Sequence, residues 1–149
     1  MSKVLIIFGS TTGNTESVSE RIKSKLEEAG HEVMMKNAME ATPEDIPGYE
    51  VYVWGSSTWN DGELQDDFVE LHMQLEDEPP VLTGTKFAAY GCGESVYERF
   101  CGAVGILEKS LSDWGSEKVV DGLMIDGYPE EDVNVDKVEA WIKELVSKL

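Results

Sequence analysis

The chain has 149 residues with 30 acidic and 12 basic side chains, which gives a formal net charge of −18. Such a surface would repel nucleic-acid phosphates and anionic lipid headgroups, so we expect neither as a partner. No segment approaches the roughly 20 apolar residues of a membrane span, and the first apolar run is too short for a signal peptide. We therefore expect a single domain over residues 1–149, located in the cytoplasm.

The first half of the chain alternates between strand and helix patterns. Strands are predicted at 4–8, 32–36 and 51–55, and the first of them is apolar at every position. A fully apolar run is typical of a central parallel strand that is covered on both faces. The helix between the first two strands has apolar residues spaced four apart, namely Val18, Ile22 and Leu26, and Gly30 follows as its C-terminal cap.

The second half continues the same alternation. Strands are predicted at 86–91 and 118–126, the latter bent at Gly122. Five strand–helix units in succession predict an α/β fold with a five-stranded, doubly wound, mainly parallel sheet. The apolar stripes of the remaining helices are Leu64, Phe68, Leu71 and Leu75; Val104, Leu107, Leu111 and Trp114; and Val138, Trp141, Ile142, Leu145 and Leu149.

The loop after the first strand reads GSTTGNT over residues 9–15. Its hydroxyls and the backbone N–H groups of the following helix could surround a phosphate, with the positive end of the helix dipole behind them. No Lys or Arg lies between Val4 and Glu20, and phosphoryl transfer needs cationic groups. The loop therefore indicates either phosphate binding without chemistry at phosphorus or an ordinary hydroxyl-rich helix cap.

Two further loops at the same edge of the predicted sheet each carry an aromatic residue, Trp59 in one and Tyr97 in the other. Ligands of doubly wound sheets bind at this edge, so the pair favours a planar ligand stacked between the two rings. Gly55, Gly91 and Gly93 would let the backbone approach that ligand closely.

Cysteine and phosphoaspartate chemistry are disfavoured by the same loops. Cys92 and Arg99 are one residue too far apart for a cysteine-phosphatase loop, and strand three ends in Gly-Ser instead of the Asp of a receiver domain. Cys92 and Cys101 form no C-x-x-C pair, and we expect both to be free thiols packed as small hydrophobes.

Four segments together resemble the short-chain flavodoxins, and most closely those of sulfate-reducing bacteria. They are GSTTGNTE at 9–16, STW at 57–59, ELQDDF at 63–68 and YGCGESVYERFCGAV at 90–104. The resemblance implies strand order 2-1-3-4-5 and a noncovalently bound FMN. The family usually has Gly after the Trp, where this chain has Asn60, and its acidic segment before ELQ is two residues longer.

The resemblance also implies a set of binding residues. Trp59 and Tyr97 would lie on the two faces of the isoalloxazine. The phosphate would be held by Ser10, Thr11, Thr12, Gly13, Asn14 and Thr15; backbone contacts would come from Ser57, Thr58, Asn60, Cys92, Gly93 and Glu94; and Phe100 and Cys101 would line the pocket.

The function expected from this reading is a low-potential, one-electron carrier. Its acidic surface would meet redox proteins with basic patches in transient encounters, with the carrier itself a monomer. Two alternatives remain open: a small FMN-dependent quinone or NAD(P)H reductase, and a flavin-free module that binds a phosphate ligand.

Overall fold

Strands and helices alternate along the chain, as the sequence pattern predicts. The computed structural model describes residues 2–9, 13–56, 58–59, 63–64, 66–93, 102–126 and 132–149. The strands are β1 (Lys3–Gly9), β2 (Glu32–Asn37), β3 (Val51–Ser56), β4 (Thr58–Trp59), β5 (Glu63–Leu64), β6 (Lys86–Gly93), β7 (Glu117–Lys118) and β8 (Leu123–Asp126). The helices are α1 (Asn14–Glu28), α2 (Asp66–Asp77), α3 (Gly102–Asp113) and α4 (Asp132–Ser147).

The main sheet has the predicted order. β1 lies between β2 and β3, β6 lies beyond β3, and β7 and β8 both pair with β6, all in parallel. The two short pieces together form the predicted fifth strand, so the order 2-1-3-4-5 is confirmed. β2 is at an edge and only half-buried, in agreement with its less apolar sequence.

The fifth strand is interrupted and not merely bent. Between β7 and β8, the N–H of Val119 still donates to the carbonyl of Phe87 at 3.1 Å, after which the ladder stops. The indole Nε1 of Trp141 donates to the carbonyl of Asp121 at 2.8 Å. This side-chain donor satisfies a backbone acceptor that the broken ladder leaves without a strand partner.

Alternating side chains of β1 enter two different cores. Leu5 and Ile7 belong to the core under α2 and α3, whereas Val4 and Ile6 belong to the core under α1 and α4. All four are fully buried, because successive residues of a strand point to opposite faces. The apolar run at 4–8 is thereby explained by helices on both sides of the sheet.

The predicted helical stripes are confirmed except at three residues, since Trp114 follows the end of α3 at Asp113, Leu149 follows the end of α4 at Ser147, and Leu64 precedes α2. Leu64 continues the spacing of Phe68, Leu71 and Leu75, but it lies in β5, and α2 begins only at Asp66. β5 pairs antiparallel with β4, so the backbone at Leu64 belongs to a short hairpin. Asp66 and Asp67 then open α2, where negative charge is favoured by the helix dipole.

No helix in the described part of the chain combines the length and apolar character that crossing a bilayer requires.

A histidine lies at the contact between α2 and α3. His72 Nε2 is 2.6 Å from Ser110 Oγ and 3.1 Å from a carboxylate oxygen of Glu76, and its side chain is 12% exposed. Burial lowers the pKa of His72, and the nearby Glu76 carboxylate opposes that effect only in part. The folded protein therefore disfavours the protonated imidazole.

A pH dependence of stability follows from His72. Its folded pKa is lower than its unfolded pKa, so its contribution to stability is present above about pH 6.5 and is lost as pH falls towards the folded pKa. We expect the free energy of unfolding to fall more between about pH 7.5 and about pH 5 in the wild type than in His72→Gln. Urea denaturation at both pH values measures the difference, and equal losses in the two proteins would contradict it.

Candidate functional site

The carboxyl ends of the central strands meet at one edge of the sheet. Gly9 of β1 pairs with Ser56 of β3, and one residue earlier Gly55 pairs with Tyr90 of β6. On the other side of β6, Gly93 pairs with Asp126 of β8. The loops that the sequence analysis selected therefore leave the sheet side by side.

The N-terminus of α1 begins beside the end of β1. Gly13 is its N-cap with φ of 88°, a left-handed conformation that favours glycine over other residues. The N–H of Ser17 donates to the carbonyl of Gly13 at 2.9 Å, which is the first bond of the helical ladder. The first N–H groups of a helix generally lack a carbonyl partner within the helix, and a helix start of this kind favours an anion.

Three of the six residues predicted to hold a phosphate lie at this helix start. Gly13 caps α1, Asn14 is its first residue, and Thr15 is fully buried in its first turn. Ser10, Thr11 and Thr12 lie outside the described residues.

The β4–β5 hairpin brings Thr58 and Trp59 to the same edge. β4 pairs with β5 through Thr58–Leu64 and Trp59–Glu63, and its backbone lies next to β6 and α3. The segment that carries the first predicted aromatic is therefore adjacent to the strand that ends in Gly93.

Cys92 places its side chain away from the loops. It is 6% exposed and packs in the core under α1 and α4, which confirms it as a small buried hydrophobe. Its predicted contact with a ligand through the backbone remains a prediction, as does that of Gly93 at the end of β6. The remaining predicted residues lie outside the described ones: Ser57, Asn60, Glu94, Tyr97, Phe100 and Cys101.

Two glycines at this edge are required by close packing within the protein. A Cβ added to Gly55 would lie 2.2 Å from Cε2 of Tyr90, and one added to Gly91 would lie 2.3 Å from the carbonyl oxygen of Ser56. The sequence analysis assigned these glycines to the approach of a ligand. The structure supplies a reason that holds without one, since neither position has room for a side chain.

Sequence analysis missed two polar residues below the site, Tyr90 and Ser19. Both are fully buried, and their hydroxyl oxygens are in hydrogen-bond contact. The available signals were a tyrosine in the otherwise apolar strand KFAAYG and a serine four residues after Thr15. Neither signal identifies the other residue as its partner.

The fold and this edge define a doubly wound α/β protein with a helix N-terminus, an aromatic hairpin and glycine-rich strand ends at the switch point. The family model described as Flavodoxin matches residues 6–141, and the chain belongs to the flavodoxin family.

Curated relatives support the assignment over the full length. The chain is 42% identical over 155 residues to the flavodoxin of Nitratidesulfovibrio vulgaris and 40% identical over 152 residues to that of Maridesulfovibrio salexigens, with all of each sequence covered. The predicted resemblance to flavodoxins of sulfate-reducing bacteria is thereby confirmed.

Solved structures support the same family assignment. Oxidised Flavodoxin 2 from Bacillus cereus superposes with a TM-score of 0.93 at 37% identity over 99% of both chains. Fusobacterium nucleatum flavodoxin bound to flavin mononucleotide has a TM-score of 0.84 at 18% identity, over 100% of this chain and 99% of that one, and shows the shared fold.

The packing of Gly91 generates a prediction. A methyl group there must push β6 away from the backbone of β3, so Gly91→Ala should lower the free energy of unfolding by about 1–3 kcal/mol. Gly105→Ala in α3 is the matched control. An added Cβ there meets nothing within 4 Å, and the change should raise stability by about 0.5–1 kcal/mol. Chemical denaturation of both variants measures these effects. Equal free energies of unfolding for Gly91→Ala and Gly105→Ala would contradict the packing argument.

Proposed function

We propose that this protein binds FMN noncovalently and carries electrons one at a time between redox enzymes. The observation that carries the proposal is family membership over residues 6–141, together with the start of α1 at the carboxyl end of β1. The donors at that edge fit a phosphate monoester, because α1 presents N–H groups there. FMN supplies the redox chemistry, and the protein supplies binding, orientation and electrostatics.

The phosphate would be held by neutral donors. Ser10, Thr11, Thr12 and Thr15 provide hydroxyl groups, and Gly13 and Asn14 provide backbone N–H groups beside the helix dipole. No basic side chain lies between Val4 and Glu20, so the affinity depends on the number and orientation of these donors. This binding mode anchors the cofactor without activating its phosphorus.

The isoalloxazine would be held between Trp59 and Tyr97. Aromatic stacking contributes binding energy, and the enclosing rings keep water from the flavin. The remaining contacts are those expected from the family: the backbone of Ser57, Thr58, Asn60, Cys92, Gly93 and Glu94, with Phe100 and Cys101 lining the pocket.

The acidic chain lowers the reduction potential. A carboxylate about 12 Å from the flavin, in a water-like dielectric, disfavours an added negative charge by about 0.35 kcal/mol. For a one-electron couple this corresponds to about 15 mV for each charge, before screening by salt. Six such groups would lower the potential by about 90 mV, so exclusion of water by the aromatic pair must contribute as well.

The carrier role also fits the connections of the fold. Where the structure describes them, strands and helices are joined by short segments, so a separate substrate-binding subdomain has no obvious place. We infer that the protein is not itself an enzyme, and that it acts as a monomeric domain in the cytoplasm. Its partners would be redox proteins with basic patches, because the net charge of −18 favours brief electrostatic encounters.

Stepwise anaerobic reduction of the purified protein, followed by its visible spectrum, tests the proposal. We expect a yellow protein with one FMN per chain that takes up electrons in two separable steps. Steady oxidation of NAD(P)H by the protein alone would favour a reductase instead. A colourless preparation that ignores added FMN would contradict flavin binding and favour a flavin-free module.

Removal of the first aromatic ring tests the stacking. Trp59→Ala should raise the dissociation constant of FMN by about 10-fold or more. It should also raise the midpoint potential of the second one-electron reduction of FMN, because the ring no longer shields the reduced flavin from water. Trp114→Phe is the control, since Trp114 packs against Trp54 and His72, between α2 and α3. Fluorescence titration and potentiometry measure both quantities. Unchanged values in Trp59→Ala would show that Trp59 does not stack on the flavin.

A further inference from the structure

A chain of two buried hydrogen bonds joins β6 to the first turn of α1. The hydroxyls of Tyr90 and Ser19 are in hydrogen-bond contact, and Ser19 Oγ donates to the carbonyl oxygen of Thr15 at 2.8 Å. Because the single proton of Ser19 is directed to Thr15, Tyr90 must be the donor to Ser19. Donation therefore runs from the sheet towards the N-terminus of the helix.

Tyr90 has little freedom to leave this arrangement. Its side chain is fully buried, its ring centroid is 6.1 Å from that of Trp141, and Gly55 leaves the space that the ring occupies. Burial raises the pKa of the Tyr90 hydroxyl, an effect larger than the opposing influence of Ser19. The hydroxyl therefore keeps its proton and remains a donor.

The carbonyl of Thr15 belongs to the peptide whose N–H is that of Glu16. A carbonyl that accepts an additional hydrogen bond polarises its peptide, which makes the attached N–H a stronger donor. Glu16 is the third residue of α1, so its N–H is among those without a partner inside the helix. The bond from Ser19 therefore acts on a donor at the end of α1 where an anion would bind.

We propose that Tyr90 and Ser19 are positioning residues for the phosphate of FMN. Their hydrogen bonds hold the first turn of α1 against β6 and strengthen the Glu16 N–H as a donor towards the anion. The inference rests on the proposed function, since it assigns these residues to the phosphate end of the same site. No basic side chain lies between Val4 and Glu20, so this part of the site depends on the orientation of its neutral donors.

Comparison of FMN with riboflavin in Tyr90→Phe tests the inference. Riboflavin has the same ring system but no phosphate, so only FMN uses the donors of α1. We expect the dissociation constant of FMN to rise about fivefold while that of riboflavin is unchanged, as for the loss of one buried hydrogen bond. The ³¹P resonance of bound FMN should also shift.

Tyr52→Phe is the matched control. Tyr52 is a buried tyrosine of β3 whose hydroxyl donates to the carbonyl of Ile46 at 2.6 Å, in the core on the opposite face of the sheet. Removal of this hydroxyl should also lower the free energy of unfolding. It should leave both the FMN-to-riboflavin affinity ratio and the ³¹P resonance unchanged, because Tyr52 and Ile46 pack in one core and α1 packs in the other.

Ser19→Ala provides a second route if Tyr90→Phe does not fold. It removes the donor to Thr15 directly, so the affinity ratio should change in the same direction. The double variant should change that ratio no more than Ser19→Ala alone, because the two residues act as one unit.

An unchanged affinity ratio in both single variants, or an equal loss for FMN and riboflavin, would overturn the inference. A change of the same size in Tyr52→Phe would overturn it as well. A wild-type protein that binds neither flavin would instead overturn the proposed function, so the two failures are distinguishable.

Discussion

Burial of β1 on both of its faces is the constraint on which the rest of the structure depends. Leu5 and Ile7 need one pair of helices, and Val4 and Ile6 need the other. Helices on both sides require the winding to reverse, and it reverses at β1, which has β2 on one side and β3 on the other. The same residues that drive folding therefore create the edge at which the ligand is expected.

That edge combines close backbone packing with uncharged donors. Gly91 allows β6 to approach the carbonyl of Ser56, and Gly13 turns the chain into α1. Neutral donors hold an anion only when they are well oriented, whereas a lysine could act over a longer distance. Tight packing below the site therefore suits the segment from Val4 to Glu20, which contains no basic side chain.

The hydroxyl of Tyr90 and the imidazole of His72 lie in two different parts of the fold and have different consequences. Tyr90 keeps its proton, and its bond to Ser19 connects the sheet with the start of α1. His72 lies between α2 and α3 and has a lowered pKa, so it couples the stability of that contact to pH. The first arrangement is the one proposed to position the phosphate, whereas the second affects stability.

From the sequence by itself, apolar periodicity predicted the helices and the five strands of the main sheet, and the motifs around Gly13 and Trp59 carried the resemblance that implied the strand order and the family. The sequence did not determine that Leu64 joins a hairpin or that the fifth strand breaks after Val119, because pairing competes with local pattern. Only the tertiary structure brought Tyr90 to Ser19, 71 residues away, since contact between distant residues is set by how strands and helices pack.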